Sequence, residues 1–204
     1  IPKFERNIYD PFILETDFTG ILDDRLRVYT SIGNEAREHI AQPTILTKDI
    51  SNPIISTTKE LPNFIKQISS EKFEVEQGNW TVMKSIVIEG DLQIKSGTKL
   101  EFGENCYLII KGSINIAGSA DKPVILESIN ETWKGLYVIS KDKRISKVKE
   151  LIIRNTAATS DGILNLTGGV TFYNVTLNVD GLEISNTRAE DAINVINSKI
   201  DIKN

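Results

Sequence analysis

The sequence predicts a mainly β protein in which short strands recur at a nearly constant spacing and stack on one another. Three observations indicate this fold class. From about residue 79 onward, short runs rich in Ile, Val and Leu alternate with polar residues, Gly, Asn, Ser and Asp separate the runs, and the runs repeat. With 204 residues, 40% of them hydrophobic, the chain is long enough for one sizeable core or for a core plus a small lobe.

The repeat is visible when the first strand is placed over a later one at an offset of 22 residues. Residues 85–90 (SIVIEG) lie over residues 107–112 (YLIIKG), so that the apolar positions and the closing glycine both match. The next strand follows at the same offset, and residues 100–102 lie over residues 124–126 at an offset of 24, which gives three short strands per period. The predicted inward pairs are Ile86 on Leu108, Ile88 on Ile110, Leu92 on Ile114, Ile94 on Ile116, Leu100 on Val124 and Phe102 on Leu126.

A period of 22 to 24 residues with three strands predicts a parallel β-helix over residues 76–204. In that architecture each period is one coil, and equivalent strands stack about 4.8 Å apart. The period is too short for a four-stranded propeller blade, and it lacks the Leu-rich, helix-bearing spacing of a leucine-rich repeat. A β-sandwich would also alternate, but it has no reason to keep a constant period.

The later coils are longer and less regular. Leu136 and Val138 continue the first stack, residues 141–149 are predicted to leave it as a charged loop, and Leu151 and Ile153 then return. Asparagine tolerates left-handed backbone and can bond a neighbour in the next coil, so it suits the corners between strands. The asparagines predicted at strand ends are Asn155, Asn174, Asn186, Asn197 and Asn204.

Residues 1–75 are predicted to form an irregular N-terminal lobe or cap, because no apolar period is sustained there and five of the six prolines lie in this part. Short helices are predicted at residues 34–40 and 61–68, and an extended connector between them at residues 44–58.

The final residues, 199–204, complete one strand of a new coil and leave an open stacking edge. We therefore expect either that the chain is a fragment of a longer protein or that this edge associates with a second copy.

Five stretches between residues 78 and 204 are distinctive: GNWTV (78–82), SGTKLEFG (96–103), GSADKPVIL (118–126), WKGLYV (133–138) and NTRAEDAIN (186–194). They resemble the right-handed parallel β-helix proteins of the pectin-lyase-like superfamily, of the kind that bacteria export or carry on the cell surface. The resemblance implies right-handed coils and a secreted or cell-surface location. It implies no single activity, because the superfamily holds polysaccharide lyases, glycoside hydrolases, adhesins and proteins without an assigned role.

The hydrolases of that superfamily carry Asn-Thr-Asp, Asp-Asp and Gly-His-Gly on adjacent coils, because hydrolysis needs an acid and a base around an attacking water. Here the Asn-Thr pairs are followed by Ala157 and Arg188, the one Asp-Asp pair is Asp23–Asp24, and the one histidine is His39. No catalytic residue is assigned on this basis. The residues available to a lyase, without a signature that arranges them, are Arg154, Asp180, Arg188, Glu190 and Asp191.

Two charged groups and one aromatic residue are candidate ligand contacts, each with a structural alternative. The acids at positions 190 and 191 beside Arg188 suit a sugar or a hard cation such as calcium, although no motif supports calcium, or else form a solvated corner. The loop at residues 141–149 offers five cations to an acidic glycan, or only keeps the fold soluble. Trp133 stacks on a sugar or packs beside Gly135. The candidates are Trp133, Lys141, Lys143, Arg144, Arg188, Glu190 and Asp191.

Composition excludes several classes of function. The net charge of −4 gives no general attraction to nucleic acid, the apolar runs are too short to insert into a membrane, and the lone Cys106 excludes internal disulfides and Cys-rich zinc sites. No cofactor is expected. The leading hypothesis is a noncatalytic structural or polysaccharide-binding segment of an exported bacterial protein. The alternative is a carbohydrate-active lyase or hydrolase whose site lies partly beyond Asn204.

Overall fold

The computed structural model describes residues 28–32, 35–41, 57–161 and 164–203. These residues form a mainly β structure, and none of them belongs to a helix long and apolar enough to cross a membrane. The strands, in chain order, are β1 Val28–Ile32, β2 Glu35–Ala41, β3 Ile65–Ser69, β4 Lys72–Val75, β5 Asn79–Val82, β6 Ile86–Ile88, β7 Asp91–Lys95, β8 Lys99–Phe102, β9 Leu108–Ile110, β10 Ile114–Ala117, β11 Val124–Ser128, β12 Leu136–Ile139, β13 Ile145–Arg154, β14 Thr159–Asp161, β15 Leu164–Leu166, β16 Gly168–Tyr173, β17 Thr176–Ser185, β18 Asp191–Ile196 and β19 Lys199–Lys203.

Contacts divide the chain into two compact units, Ile1–Thr44 and Ile45–Asn204. The described part of the first unit is the antiparallel hairpin of β1 and β2. In the second unit, β14 and β15 form another antiparallel hairpin. The boundary expected near residue 75 stays a prediction.

Parallel strands of the second unit stack in three columns. The first column holds β4, β7, β10, the first halves of β13 and β17, and β19. The second holds β5, β8, β11 and the second halves of β13 and β17. The third holds β6, β9, β12, β16 and β18. Because β13 and β17 run through two columns, these belong to one ten-stranded sheet. Such curled parallel sheets are compatible with a β-helix-like fold.

The inward side chains of the columns form one apolar core, and the predicted pairs at an offset of 22 residues are confirmed. In register and buried to 1% exposure or less are Ile86 with Leu108, Ile88 with Ile110, Leu92 with Ile114 and Ile94 with Ile116. The predicted continuation is also confirmed, because Leu136 lies beside Leu108 and Val138 beside Ile110.

Two predicted pairs are wrong by two residues. Leu100 lies opposite Leu126 rather than Val124, and the same shift separates Phe102 from its predicted partner. The chain between β10 and β11 takes up the difference in a tight turn at residues 119–122, closed by reciprocal backbone hydrogen bonds. Sliding a strand by two residues keeps the same face inward, so apolar alternation alone does not reveal the shift.

Asparagines occupy corners between strands, as predicted. Left-handed backbone is found at Asn155, Asn174, Asn186 and Asn197, with φ of 59°, 54°, 54° and 49°. Asn204 lies outside the described residues. This conformation is costly for most residues but accessible to asparagine, so these positions turn the chain at limited cost.

The charged loop predicted at residues 141–149 is shorter than expected, because β13 takes in the second half of that range. Ser146 and Val148 point inward and are buried. The alternation is therefore that of a strand whose outward positions carry Lys147 and Lys149.

Both helices predicted in the N-terminal part are strands instead: residues 34–40 overlap β2, and residues 61–68 overlap β3. In the second case β3 folds back antiparallel on β4, and Ile68, which the helix would bury, is 61% exposed. Phe64 stacks on Trp80 beside this hairpin, with ring centroids 5.2 Å apart. In so short a segment, pairing with a neighbouring strand outweighs a weak helical pattern.

The third column is buried on both faces. Val87, Ile109 and Tyr137 point away from the main core yet are at most 3% exposed. The Tyr137 hydroxyl donates to the carbonyl oxygens of Lys134 and Gly168, and burial raises its pKa. Burial on both faces explains the uninterrupted apolar runs of β6, β9 and β12.

Candidate functional site

Trp133 lies in the core, so neither face of its indole is open to a sugar. The side chain is 0% exposed, stacks on Phe102 with ring centroids 4.1 Å apart, and donates from Nε1 to the Arg154 carbonyl oxygen at 2.9 Å. The packing interpretation of Trp133 is the one that the structure bears out.

Arg144 fixes the loop before β13 to the neighbouring strand. Its guanidinium nitrogens lie 3.0 Å from Asp91 Oδ1 and 3.1 Å from Glu71 Oε2. Burial acts to raise the pKa of Asp91, but hydrogen bonds from Ser113 and Arg144 outweigh it and hold that pKa below its ordinary value. The exposed residues of the loop are Lys141, Asp142 and Lys143.

The second candidate group lies between β16 and β18. Arg188 Nη1 lies 2.8 Å from Glu131 Oε2, and both side chains are well exposed. Glu190 and Asp191 are exposed, and no group of three or more His, Cys, Asp or Glu in the described ranges is arranged to hold a metal ion. The structure therefore places this group at a solvated surface position.

A groove on the outer face of the first column was not predicted. Its volume is about 270 Å³, and β13, β17 and β19 form it above the buried side chains of Val148 and Val179. Two rows of polar side chains cross the three strands in register. One row is Lys147, Asn178 and Asp201, and the other is Lys149, Asp180 and Lys203. None of the seven candidate ligand contacts lines this groove.

The charged side chains on the second column neutralise one another. Lys99 Nζ lies 3.0 Å from a Glu101 carboxylate oxygen and 2.8 Å from one of Glu127. Arg154 lies 3.7 Å from the carboxylates of both Glu127 and Glu183. The hydrogen bonds to Glu127 and Glu101 raise the pKa of Lys99. The lyase candidate Arg154 is thus held in an ion-pair network that spans three strands.

The charged side chains of the groove have no such partners. In the part of the chain that the structure describes, no ion pair within 4.0 Å involves Lys147, Lys149, Lys203, Asp180 or Asp201. All five are exposed. Three cations against two carboxylates give the groove a sign opposite to the net charge of −4 on the chain. These groups are available to a ligand at no cost in broken ion pairs.

Sequence reasoning assigned the two lysines of β13 to a loop and did not connect them with β17 or β19. The signal was the alternation of apolar and polar residues in each strand, which places every second residue on the outer face. The outward polar residues are Lys147 and Lys149 in β13, Asn178 and Asp180 in β17, and Lys199, Asp201 and Lys203 in β19.

Comparisons with protein-family models, with curated proteins and with solved structures gave no significant match to the chain.

Proposed function

We propose that the second unit is a right-handed parallel β-helix with three strands per coil that binds an acidic polysaccharide on its outer face without cleaving it. The three columns of parallel strands and the offset of 22 residues between the first stacked pairs support the coil architecture. Parallel strands of one sheet are joined by right-handed crossovers in nearly all proteins, which supports the handedness.

The unpaired, net positive groove is the observation that carries the binding proposal. Its two rows run across three strands, so successive side chains in a row are spaced by about one strand separation, ~4.8 Å. A regular row of this kind suits an extended polymer whose charged groups also recur at regular intervals. The lysines would hold carboxylates, while Asn178, Asp180 and Asp201 would accept or donate hydrogen bonds at the hydroxyls.

The absence of turnover is proposed because the candidate catalytic groups are engaged elsewhere or isolated. Arg154 is held between Glu127 and Glu183, and Arg188 is paired with Glu131. Hydrolysis of a glycosidic bond needs two carboxyl groups flanking that bond. The resemblance to exported β-helix proteins supports a place of action at the surface of a bacterium.

The test is equilibrium binding of polygalacturonate, with its fully methyl-esterified form as the uncharged ligand of the same backbone. The triple variant Lys147→Gln, Lys149→Gln, Lys203→Gln should bind polygalacturonate about tenfold more weakly or worse, since each exposed charge contact contributes a few tenths to 1 kcal/mol. The ester should bind weakly to every variant.

The matched control changes three exposed lysines outside the groove, Lys59, Lys84 and Lys122, to glutamine. It alters the net charge equally and should bind polygalacturonate like the unmodified chain. Equal losses in both triple variants would reduce the effect to net charge and contradict a groove. New reducing ends or unsaturated uronate during the incubation would contradict noncatalytic binding.

A further inference from the structure

One end of the stacked strands exposes apolar side chains at positions that elsewhere form the core. Ile200 and Ile202 of β19 lie in register with Leu177 and Val179, which are 0% and 4% exposed. Ile200 is nevertheless 39% exposed and Ile202 is 67% exposed. Among the described residues, no strand pairs with the far edge of β19. The inward side of this column therefore ends in an apolar strip beside a row of free backbone groups.

The opposite end of the same column is closed. The edge of β4 is covered by β3, which runs antiparallel to it. Phe64 is 4% exposed, and it stacks on the partly buried Trp80. The two ends are thus not complementary, and a second copy finds no open parallel strand there to receive β19. Head-to-tail stacking is disfavoured for this reason.

The sequence of β19 suits antiparallel pairing with itself. Lys199, Asp201 and Lys203 alternate with the two isoleucines and occupy the outer face. In a register centred on Ile200, the Lys199 of each copy lies opposite the Asp201 of the other, and isoleucine lies opposite isoleucine. A register centred on Ile202 gives the same match with Lys203. A register centred on Asp201 would place like charges opposite each other, which is unfavourable.

We propose that two copies of this chain associate through β19, paired antiparallel about a two-fold axis in a register centred on Ile200 or Ile202. Such an interface is isologous, so it closes at the dimer and does not propagate into a fibre. The apolar strips of the two copies then continue each other on the inner face, and the charges pair on the outer face. This inference does not rest on polysaccharide binding, and its tests read mass instead of ligand affinity.

Sedimentation across a dilution series tests the dimer. The 204-residue chain should approach twice 22.8 kDa at high concentration and 22.8 kDa on dilution. The variant Ile202→Lys should remain at the monomer mass throughout, with an unchanged circular dichroism spectrum because the side chain is already exposed. A monomer at all concentrations, or a mass that rises without limit, would overturn the proposal.

A matched control distinguishes the two modes of stacking. Ile68 is 61% exposed on β3, at the closed end. Ile68→Lys should dimerise like the unmodified chain. Loss of the dimer in this variant as well would indicate head-to-tail contact and contradict the two-fold arrangement.

Exchange of the charges tests the register. Asp201→Lys gives β19 five positions with lysine at every outward one, and the double variant Lys199→Asp, Lys203→Asp gives aspartate at every outward one. Each should be monomeric alone, since every register opposes like charges. An equimolar mixture should recover the dimer mass. A mixture that stays monomeric would contradict antiparallel pairing of β19.

Discussion

Asn197 Nδ2 donates a hydrogen bond to Asn174 Oδ1 at 3.0 Å, and both residues have left-handed backbone. They end β18 and β16, which are neighbours in the third column. Asn174 Nδ2 also donates to the carbonyl oxygens of Ser140 and Lys141, at 2.8 and 2.9 Å. One buried amide therefore joins the ends of three consecutive strands of that column.

Asn174→Ala should destabilise the chain by about 2 kcal/mol, because it removes hydrogen bonds from a buried site and leaves alanine in left-handed backbone. Urea unfolding measures this change. Asn186→Ala is the matched control, since Asn186 has the same φ of 54° but is exposed. It should cost only the backbone part, about 1 kcal/mol. Equal losses in the two variants would show that the amide hydrogen bonds contribute nothing.

Trp133→Ala should lower the free energy of unfolding by roughly 3 to 5 kcal/mol, because it leaves a large cavity against Phe102. Trp133→Phe should cost less and stay folded. Because the indole is buried, the phenylalanine variant should bind polygalacturonate like the unmodified chain. A folded Trp133→Phe variant with reduced polysaccharide affinity would contradict the purely structural role of this residue.

Gly112→Ala should be strongly destabilising, by about 2 kcal/mol or more, because the strands stack too closely to admit a side chain there. A Cβ at this position would lie 2.3 Å from the carbonyl oxygen of Gly90, the glycine in the preceding strand of the repeat. Gly103→Ala serves as the control, since its Cβ would meet nothing closer than Cys106 Sγ at 3.4 Å. Similar thermal midpoints for the two variants would show that the close approach is not maintained in solution.

The Asp91–Arg144 pair should make stability depend on acid pH. The folded-state pKa of Asp91 is below its ordinary value, so its contribution is full above about pH 4 and is lost as pH falls through the folded pKa. Asp91→Asn should therefore cost about 1 kcal/mol at pH 7, and the difference from the unmodified chain should shrink near pH 2.

Urea unfolding at the two pH values measures this dependence. Asp142→Asn is the control, because that carboxylate is 73% exposed and lies 3.9 Å from Arg144. It should change stability little at either pH. A loss for Asp91→Asn that is the same at both pH values would contradict an electrostatic origin.

The sequence was sufficient for the stacking wherever the spacing stayed constant. Ile86 and Leu108 could be paired because a run of matching residues, closed by glycine, recurs after 22 positions. Leu100 could not be placed, because a strand with period-two alternation satisfies the same face after a slip of two residues. Only the turn at residues 119–122, seen in three dimensions, fixes its partner as Leu126.

The candidate site was less predictable than the fold. Lys147 and Lys149 were placed in a loop because charge dominates their segment, although the inward Ser146 and Val148 follow strand alternation. The groove joins residues of β13 to residues of β19 about 50 positions later, and that proximity depends on the register of β17 between them. Trp133 was ambiguous for another reason, since an indole suits both a sugar-binding surface and a core with a hydrogen-bond acceptor.

Lysine footprinting with and without polygalacturonate tests the central claim most directly, since it compares the exposed lysines with one another in the unmodified chain. Acetylation of Lys147, Lys149 and Lys203 should slow when the polysaccharide is present, while Lys59, Lys84 and Lys122 should react at unchanged rates. Protection spread evenly over all of these lysines, or confined to Lys141 and Lys143, would contradict a binding groove on the outer face of the first column.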